Sequence, residues 1–306
     1  MNSNQRRRAL AAGSILASLS LALTACGGST TTESEGGGSA AAPAGDNKLE
    51  ALQEAGTITV AIAGEAPYSY EEGGEPTGAT IALAEQIFGE MGIDNVETVL
   101  VDWNSLIPGL NAGRFDAVSA GMSILPERCE QADFADPEIM YTTALMVQEG
   151  NPMELTDLDS VVDKGDVKLA VLAGGIEAGY ADSLGLDVQS VPDAQTGMDT
   201  VANGRADAFA MTAISLNFMA DQNPDAGVEV TEAFEQTIDG TPQVGAGSTV
   251  FHQDDDELRE AYNEGLAKIT ESEETYLDVV GEFGFTAENL APEDLTTEQL
   301  CSGEVG

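Results

Sequence analysis

Apolar residues along the chain fall into two alternating periods, short continuous runs that suit buried strands and three-to-four-residue repeats that suit helices. The first half predicts a strand over 57–63 and a helix over 79–91 carrying Ile81, Leu83, Ala84, Ile87 and Phe88, with Gly92 ending it. A strand over 96–101 then delivers Trp103. Next comes a short helix, capped by Ser105 and built on Leu106, Ile107 and Leu110, with Gly113 as its left-handed cap. The run 115–120 reads as another buried strand that ends at Gly121, so Arg128 is expected just beyond a strand's carboxyl end, where open α/β sheets bind ligands. Glu65 and Tyr68 follow the 57–63 strand and share that geography. The second half repeats the rhythm: a strand over 167–173 ends in Gly174-Gly175-Ile176-Glu177, whose amides could open an anion-receiving helix, and a strand over 206–211 ends at Thr212.

An internal echo ties the halves together. Asn111-Ala-Gly-Arg-Phe-Asp-Ala-Val returns as Ala202-Asn-Gly-Arg-Ala-Asp-Ala-Phe, so Gly113, Arg114, Asp116 and Ala117 match Gly204, Arg205, Asp207 and Ala208. Each copy reads as helix end, glycine cap and strand start, which assigns the two arginines to a local turn. The alternation predicts an α/β protein of two related lobes.

Charge then narrows the function. The chain carries 11 Lys and Arg against 54 Asp and Glu, a formal net charge of -43. Such a surface repels nucleic acid and anionic lipid and stays heavily hydrated, with adaptation to salty surroundings as a secondary reading. Because Arg6, Arg7 and Arg8 use three of the cations at the N-terminus, a cation at a pocket position such as Arg128 stands out. One histidine, His252, and no clustered metal ligands argue against a metal centre or general acid-base catalysis, so neither cofactor nor metal is expected.

The N-terminus reads as targeting sequence. Arg6 to Arg8, an apolar run over 9–23 and Leu23-Thr-Ala-Cys26 have the layout of an export signal and resemble a bacterial lipoprotein signal. Residues 1–25 would be removed and Cys26 lipidated, the alternative being an ordinary secreted protein with an incidental cysteine. Residues 26–47, rich in Gly, Ser, Thr and Ala, form the expected flexible tether. No other segment is apolar and long enough to span a bilayer.

Glu65-Ala-Pro-Tyr68, the run from Leu106 to Cys129, Gly150-Asn-Pro152 and the tail from Phe283 to Cys301 resemble the solute-binding proteins of polar amino acid ABC importers, and within them the ectoine/hydroxyectoine-binding branch. The resemblance covers residue 50 to the end. It implies a periplasmic-binding-protein-like type II fold, two α/β lobes joined by two crossover strands, with lobe one over 48–147 plus 246–306, lobe two over 148–245, and crossovers at 145–148 and 244–250. It implies a ligand set in which Arg128 clamps a carboxylate, Glu65 faces a cation, and Tyr68 and Trp103 wall the solute; Met122, Ser123, Gly175, Ile176 and Thr212 complete it. Ser123 stands where a third aromatic wall is expected, leaving the box open on that side. Ile176 replaces a hydroxyl residue, leaving backbone amides to support the carboxylate. Thr212 replaces an acid that usually holds an α-ammonium.

The implied solute is a small zwitterion, ectoine or hydroxyectoine first and a polar or cationic amino acid second. The implied partners are permease subunits and, through Cys26, the membrane outside the cytoplasm, with a monomer expected and no nucleic acid. A dehydratase-like enzyme and a receptor sensor domain remain as alternatives. With Cys26 lipidated outside the cytoplasm, Cys129 and Cys301 are left to form a disulfide or to stay as two buried thiols.

Overall fold

The computed structural model describes residues 44–45 and 47–303. The expected signal peptide, Cys26 and all of the tether except residues 44, 45 and 47 lie outside the described residues. Helix α1 (Lys48–Ala55) and strand β1 (Thr57–Ile62) lead through the hairpin β2 (Tyr70–Glu72) and β3 (Glu75–Thr77) to α2 (Ala79–Glu90) and β4 (Asn95–Leu100). A single 3-10 turn, Trp103–Ser105, precedes α3 (Leu106–Asn111), β5 (Ala117–Ser123), α4 (Pro126–Cys129) and the short strands β6 (Asp133–Phe134) and β7 (Ile139–Met140). The chain continues through β8 (Thr143–Gln148), α5 (Leu158–Lys164), β9 (Leu169–Leu172), α6 (Ile176–Ser183), β10 (Val188–Val191), α7 (Ala194–Ala202), β11 (Ala208–Thr212), α8 (Ala213–Gln222) and β12 (Val228–Val230). A small hairpin, β13 (Thr237–Ile238) and β14 (Thr241–Pro242), is followed by β15 (Ala246–Phe251), α9 (Asp256–Ile269), α10 (Glu273–Val280) and α11 (Thr297–Ser302).

Two mixed sheets result, as expected of a type II binding-protein fold. The first runs β4-β1-β5-β15-β6, with β7 also on β15, and the second runs β10-β9-β11-β8-β12. β1, β4 and β5 are parallel, as are β10, β9 and β11, while β15 and β8 run antiparallel to their neighbours. Interior strands covered on both faces should be largely apolar, and β9 (Leu-Ala-Val-Leu) is so throughout, while β1 is apolar except at Thr57 and the buried Thr59. Their alternate residues enter opposite cores: Ile58 and Val60 face one apolar cluster and Ala61 another, while Ala170 and Leu172 oppose Leu169 and Val171.

The Gly-Arg-x-Asp-Ala echo has one geometry in both lobes. Gly113 and Gly204 are left-handed at φ 64° and 65°. Asp116 Oδ2 accepts from the Thr59 amide at 2.9 Å, and Asp207 Oδ2 accepts from the Lys168 amide at 2.8 Å. Each aspartate thus binds the neighbouring strand's entry and sets the strand spacing. In the first lobe Asp116 Oδ1 also meets the buried Lys48 ammonium at 3.2 Å, which pins α1 to the sheet.

Three expectations shift. β8 pairs within the second sheet along its whole length, so the chain leaves the first sheet at residues 141–142 rather than at 145–148. β15 likewise belongs wholly to the first sheet, and the return crossing runs ahead of Ala246 beside the outward one, with the Tyr141 amide donating to the Gly245 carbonyl at 2.9 Å. Ser105 precedes α3 in a helical conformation (φ -97°, ψ -6°) and makes no side-chain cap, because the 3-10 turn already supplies its carbonyls.

Candidate functional site

The loop after β1 places Glu65 and Tyr68 in the protein interior, 8% and 1% exposed. The Tyr68 ring lies against β5 where a Cβ on Gly121 would stand 2.5 Å from the ring, and Gly121 has φ 61°. Only glycine meets both demands. β5 continues past Gly121 to Ser123, two residues beyond the expected strand end, because glycine absorbs the irregular φ within a register shift, after which Met122 and Ser123 pair with β15 again. Along β5 the small residues Ala117, Ser119, Gly121 and Ser123 alternate with Val118, Ala120 and Met122. Strand alternation therefore sends Met122 into the apolar core with Phe115 and Leu106, away from the cavity that Gly121 and Ser123 line. Met122 is thus a packing residue.

α4 presents Arg128, 9% exposed. Its Nη1 donates to the Ser123 carbonyl at 2.9 Å and its Nη2 to the Gly174 carbonyl of the second lobe at 2.7 Å. Trp103 Nε1 donates to the same Gly174 oxygen at 3.1 Å, and the guanidinium carbon lies 5.7 Å from the Trp103 ring centroid. Gly174 is left-handed at φ 79° and a Cβ there would strike Asn104, so the lobes approach through a residue without a side chain. Cys129, next to Arg128, is bridged to Cys301 with 5.7 Å between Cα atoms.

From the second lobe, α6 starts at Ile176 after Gly175, and β11 delivers Thr212 ahead of α8. Ser215 Oγ donates to Glu65 Oε1 at 2.8 Å and Thr212 Oγ1 lies 3.5 Å from the same atom. One cavity between the lobes is lined by Glu65, Tyr68, Trp103, Ser123, Gly175, Ile176, Glu177 and Thr212, together with Tyr141, Leu172 and Met211. Arg128 adjoins it behind Ser123 and Gly174. Outside Trp103 the cleft widens into a crevice of about 700 Å³ that shares Glu65, Leu172 and Met211 and adds Leu100, Asp102 and Asp193.

Beyond the expected set, Tyr141 and Glu177 join the polar and aromatic lining of the cavity, and Ser215 supports Glu65 from behind it. Tyr141 stands at the outward crossing and puts its ring beside Ser123, 6.3 Å from the Tyr68 ring centroid at an interplanar angle of 88°. The wall expected to be open at Ser123 is therefore filled by an aromatic from elsewhere in the chain. Ser215 follows Thr212 by three residues, the spacing that aligns side chains at a helix start. Glu177 is 2% exposed and its Oε1 has no hydrogen-bond partner. The amides expected to support a carboxylate are largely committed, since the Gly175 N–H bonds the Leu172 carbonyl and the Glu177 side chain folds over its own N–H.

Burial dominates the electrostatics. It pushes the Glu65 carboxyl up to about 8 against the Ser215 hydrogen bond, with Glu177 adding like charge. Burial raises Glu177 to about 7, partly offset by its own amide, Arg128 and Thr143. Arg128 is lowered by burial, and Tyr68 and Tyr141 are raised by it. In this closed form the cavity is small, about 20 Å³, with a hydrogen-bonded carboxyl on one side, aromatic rings around it and a guanidinium adjoining the other side. That distribution of charge would suit a small molecule of opposite charges once the lobes part to admit it.

Two lobes closed over an interlobar cavity of this kind define a solute-binding protein. Residues 58–277 match the family described as bacterial extracellular solute-binding proteins, family 3, and the chain belongs to it. It is 34% identical over 267 residues, 85% of this chain and 87% of the relative, to a probable amino-acid ABC transporter periplasmic-binding protein of Sinorhizobium fredii. A crystal structure of EhuB in complex with hydroxyectoine superimposes with a TM-score of 0.74 at 33% identity, covering 83% of this chain and 98% of that one. An ancestral arginine-binding protein bound to arginine gives 0.66 at 26% identity, covering 74% and 98%.

Proposed function

We propose that this protein captures ectoine or hydroxyectoine outside the cytoplasm and hands it to the permease of an ABC importer, with a lipid on Cys26 holding it at the membrane. The observation that carries the reading is the separation of charge across one cavity. Arg128 is held by two carbonyls rather than by a carboxylate, so its fork retains donors for a solute carboxylate. Glu65 sits with Ser215 and Thr212 to take the ring cation. Tyr68, Trp103 and Tyr141 offer aromatic faces, each able to attract such a cation by about 0.5 to 2 kcal/mol. The 33% identity to EhuB over nearly all of that chain ranks this solute first. The two lobes, roughly 47–142 with 245–303 and 143–244, would open about the paired crossings to admit it.

A polar or cationic amino acid is the second reading, favoured by one observation: Glu177 brings a second acid to the cavity wall. Calorimetric titration against ectoine, hydroxyectoine, glycine betaine and the amino acids separates the two. Micromolar or tighter binding of ectoine, about -8 kcal/mol, is expected. An amino acid that binds more tightly overturns the ranking.

A further inference from the structure

Glu177 is the second residue of α6, directly after Ile176, and it lines the same cavity as Glu65. Its Oε1 is buried without a hydrogen-bond partner among the described residues. A buried polar atom left unpaired is costly, and the cavity is where a partner would come from.

Two observations define that partner. The first is the supply of donors at the Arg128 end. Ile176 brings no hydroxyl, the Gly175 amide is bonded to Leu172 and Glu177 covers its own amide, which leaves the Ile176 amide as the backbone donor on this side of the cavity. The second is charge. Two carboxyls line the cavity and one guanidinium adjoins it through Ser123 and Gly174, so with both acids ionised a zwitterion would leave one negative charge buried and uncompensated.

We propose that Glu177 binds the solute as a neutral carboxylic acid whose Oε1 hydroxyl donates a hydrogen bond to the solute carboxylate held by Arg128. The assignment rests on the preceding reading, that a carboxylate docks at Arg128, and adds what the second lobe contributes to holding it. The groups that face Glu177 are Glu65 and Tyr68 from the loop after β1, Arg128 from α4, Tyr141 from the crossing and Tyr180 from α6 itself. Arg128 and Thr143 favour the ionised form, whereas burial and Glu65 favour the neutral one. A carboxylate arriving on Arg128 cancels the guanidinium's pull and adds like charge, so both changes favour protonation, with water supplying the proton. Burial already holds the group near neutrality, at about 7.

Replacement separates donation from charge. Glu177→Gln keeps an N–H donor at the same place without titrating, and Glu177→Ala removes it. Wild type and both variants are titrated calorimetrically with ectoine at pH 6 and 8, each in two buffers of different ionisation heat. Glu177→Ala should bind about tenfold or more weakly, and Glu177→Gln should recover to within about threefold of wild type. At pH 8 the wild type should take up about one proton more per solute than Glu177→Gln. Equal weakness of the Gln and Ala variants, or equal proton counts, overturns the proposal. Tight binding of arginine that Glu177→Gln abolishes also overturns it, since Glu177 then serves a second cation as a carboxylate. Failure of the underlying reading looks different, because the wild type then binds no carboxylate-bearing zwitterion at all.

Discussion

Ser215 of the second lobe donates to Glu65 of the first at 2.8 Å, inside a site that neither lobe could build alone. At the other end of the cavity Arg128 reaches across to the Gly174 carbonyl at 2.7 Å. These two contacts bracket the cavity and both require a closed cleft. Each also engages a residue proposed to hold one pole of the solute, so solute capture and lobe closure draw on the same side chains.

Arg128→Ala should reduce solute affinity by at least about thirtyfold, since truncating one partner of a buried charge pair costs about 2 to 5 kcal/mol. Arg128→Lys should recover little of it, because a point charge cannot reproduce two parallel N–H donors. Titration calorimetry reads both. Wild-type affinity in Arg128→Ala would remove the carboxylate clamp from the reading.

Ser215→Ala should weaken binding by about tenfold to a hundredfold, the value of one hydrogen bond to a charged group. Glu65 then loses the interaction that opposes its burial. A solute cation needs Glu65 ionised and the empty closed site holds it protonated up to about 8, so in a Glu177→Gln background, where only Glu65 of these two acids titrates, affinity climbs with pH through that region and Ser215→Ala should move the midpoint of the climb upward. Unchanged affinity and pH midpoint in Ser215→Ala would show that the Glu65 contact is incidental to capture.

Three buried acids give an unusual stability profile without solute. Glu138, 1% exposed, accepts from the Thr249 amide at 3.0 Å through Oε1, while Oε2 has no partner, and burial raises it from 4.5 to about 7. Glu65 and Glu177 are raised likewise, to about 8 and about 7. Between the unfolded value near 4.5 and those native values the folded state binds more protons. Stability from these groups is therefore full below about 4.5 and falls as pH rises toward 8, by up to about 1.4 kcal/mol per pH unit for each group while it titrates. Thermal unfolding between pH 5 and 8 measures the slope, and Glu138→Gln should flatten it. The comparison with that variant isolates the contribution of Glu138. An identical slope in Glu138→Gln would mean that Glu138 is ionised in the native protein.

Much of this arrangement is visible in local pattern. The apolar runs of β1, β5 and β9 and the helical repeat of α2 arise from burial on two faces or one, and each leaves a periodic trace. The glycine turns leave one too, because Gly113 and Gly204 need a left-handed backbone and the aspartates after them need a fixed offset to reach the next strand. Residues placed by the meeting of the lobes leave none. Tyr141 sits between two strands of different sheets, and its position beside Ser123 follows from where the crossing falls. Ser215 faces Glu65 only when the cleft is closed. Met122 belongs to the ligand set that the resemblance implies; the trace that separates it is the two-residue alternation along β5, which puts Met122 on the core face with Val118 and Ala120, opposite Gly121 and Ser123.

Gly121→Ala should weaken binding more than it destabilises the fold. The new Cβ would press on the Tyr68 ring from 2.5 Å and require a backbone conformation that alanine avoids. Tyr68 packs edge-on against Tyr141 and Phe285, at 6.3 and 5.5 Å between centroids, so its displacement propagates to a second cavity wall. A loss in affinity of tenfold or more, with a melting temperature lowered by only a few degrees, is the expected result, given a strain of about 1 to 3 kcal/mol. Affinity equal to wild type would show that the tyrosine pair does not touch the solute.

The Cys129–Cys301 bridge closes a loop with a sequence separation of 172 and ties α11 to α4, the helix that presents Arg128. Thiol counting on unreduced, denatured mature protein should find no free thiol from this pair, and two free thiols would refute the bridge in solution. In the chain-entropy account, closing so long a loop contributes about 4 to 5 kcal/mol, and measured values are often smaller. Cys301→Ser should therefore lower the melting temperature by several degrees. α4 spans only four residues, so its hold on Arg128 depends on the bridge and on the Leu125 carbonyl, which accepts from the Arg128 and Cys129 amides at 2.9 and 3.0 Å. Releasing the tail should loosen the arginine and weaken solute binding as well, about two- to fivefold, less than Arg128→Ala because both hydrogen bonds of the guanidinium survive. Titrations of Cys301→Ser well below its melting temperature separate the two effects. A lower melting temperature with unaltered affinity would confine the bridge to stability and leave the positioning of Arg128 to the α4 backbone alone.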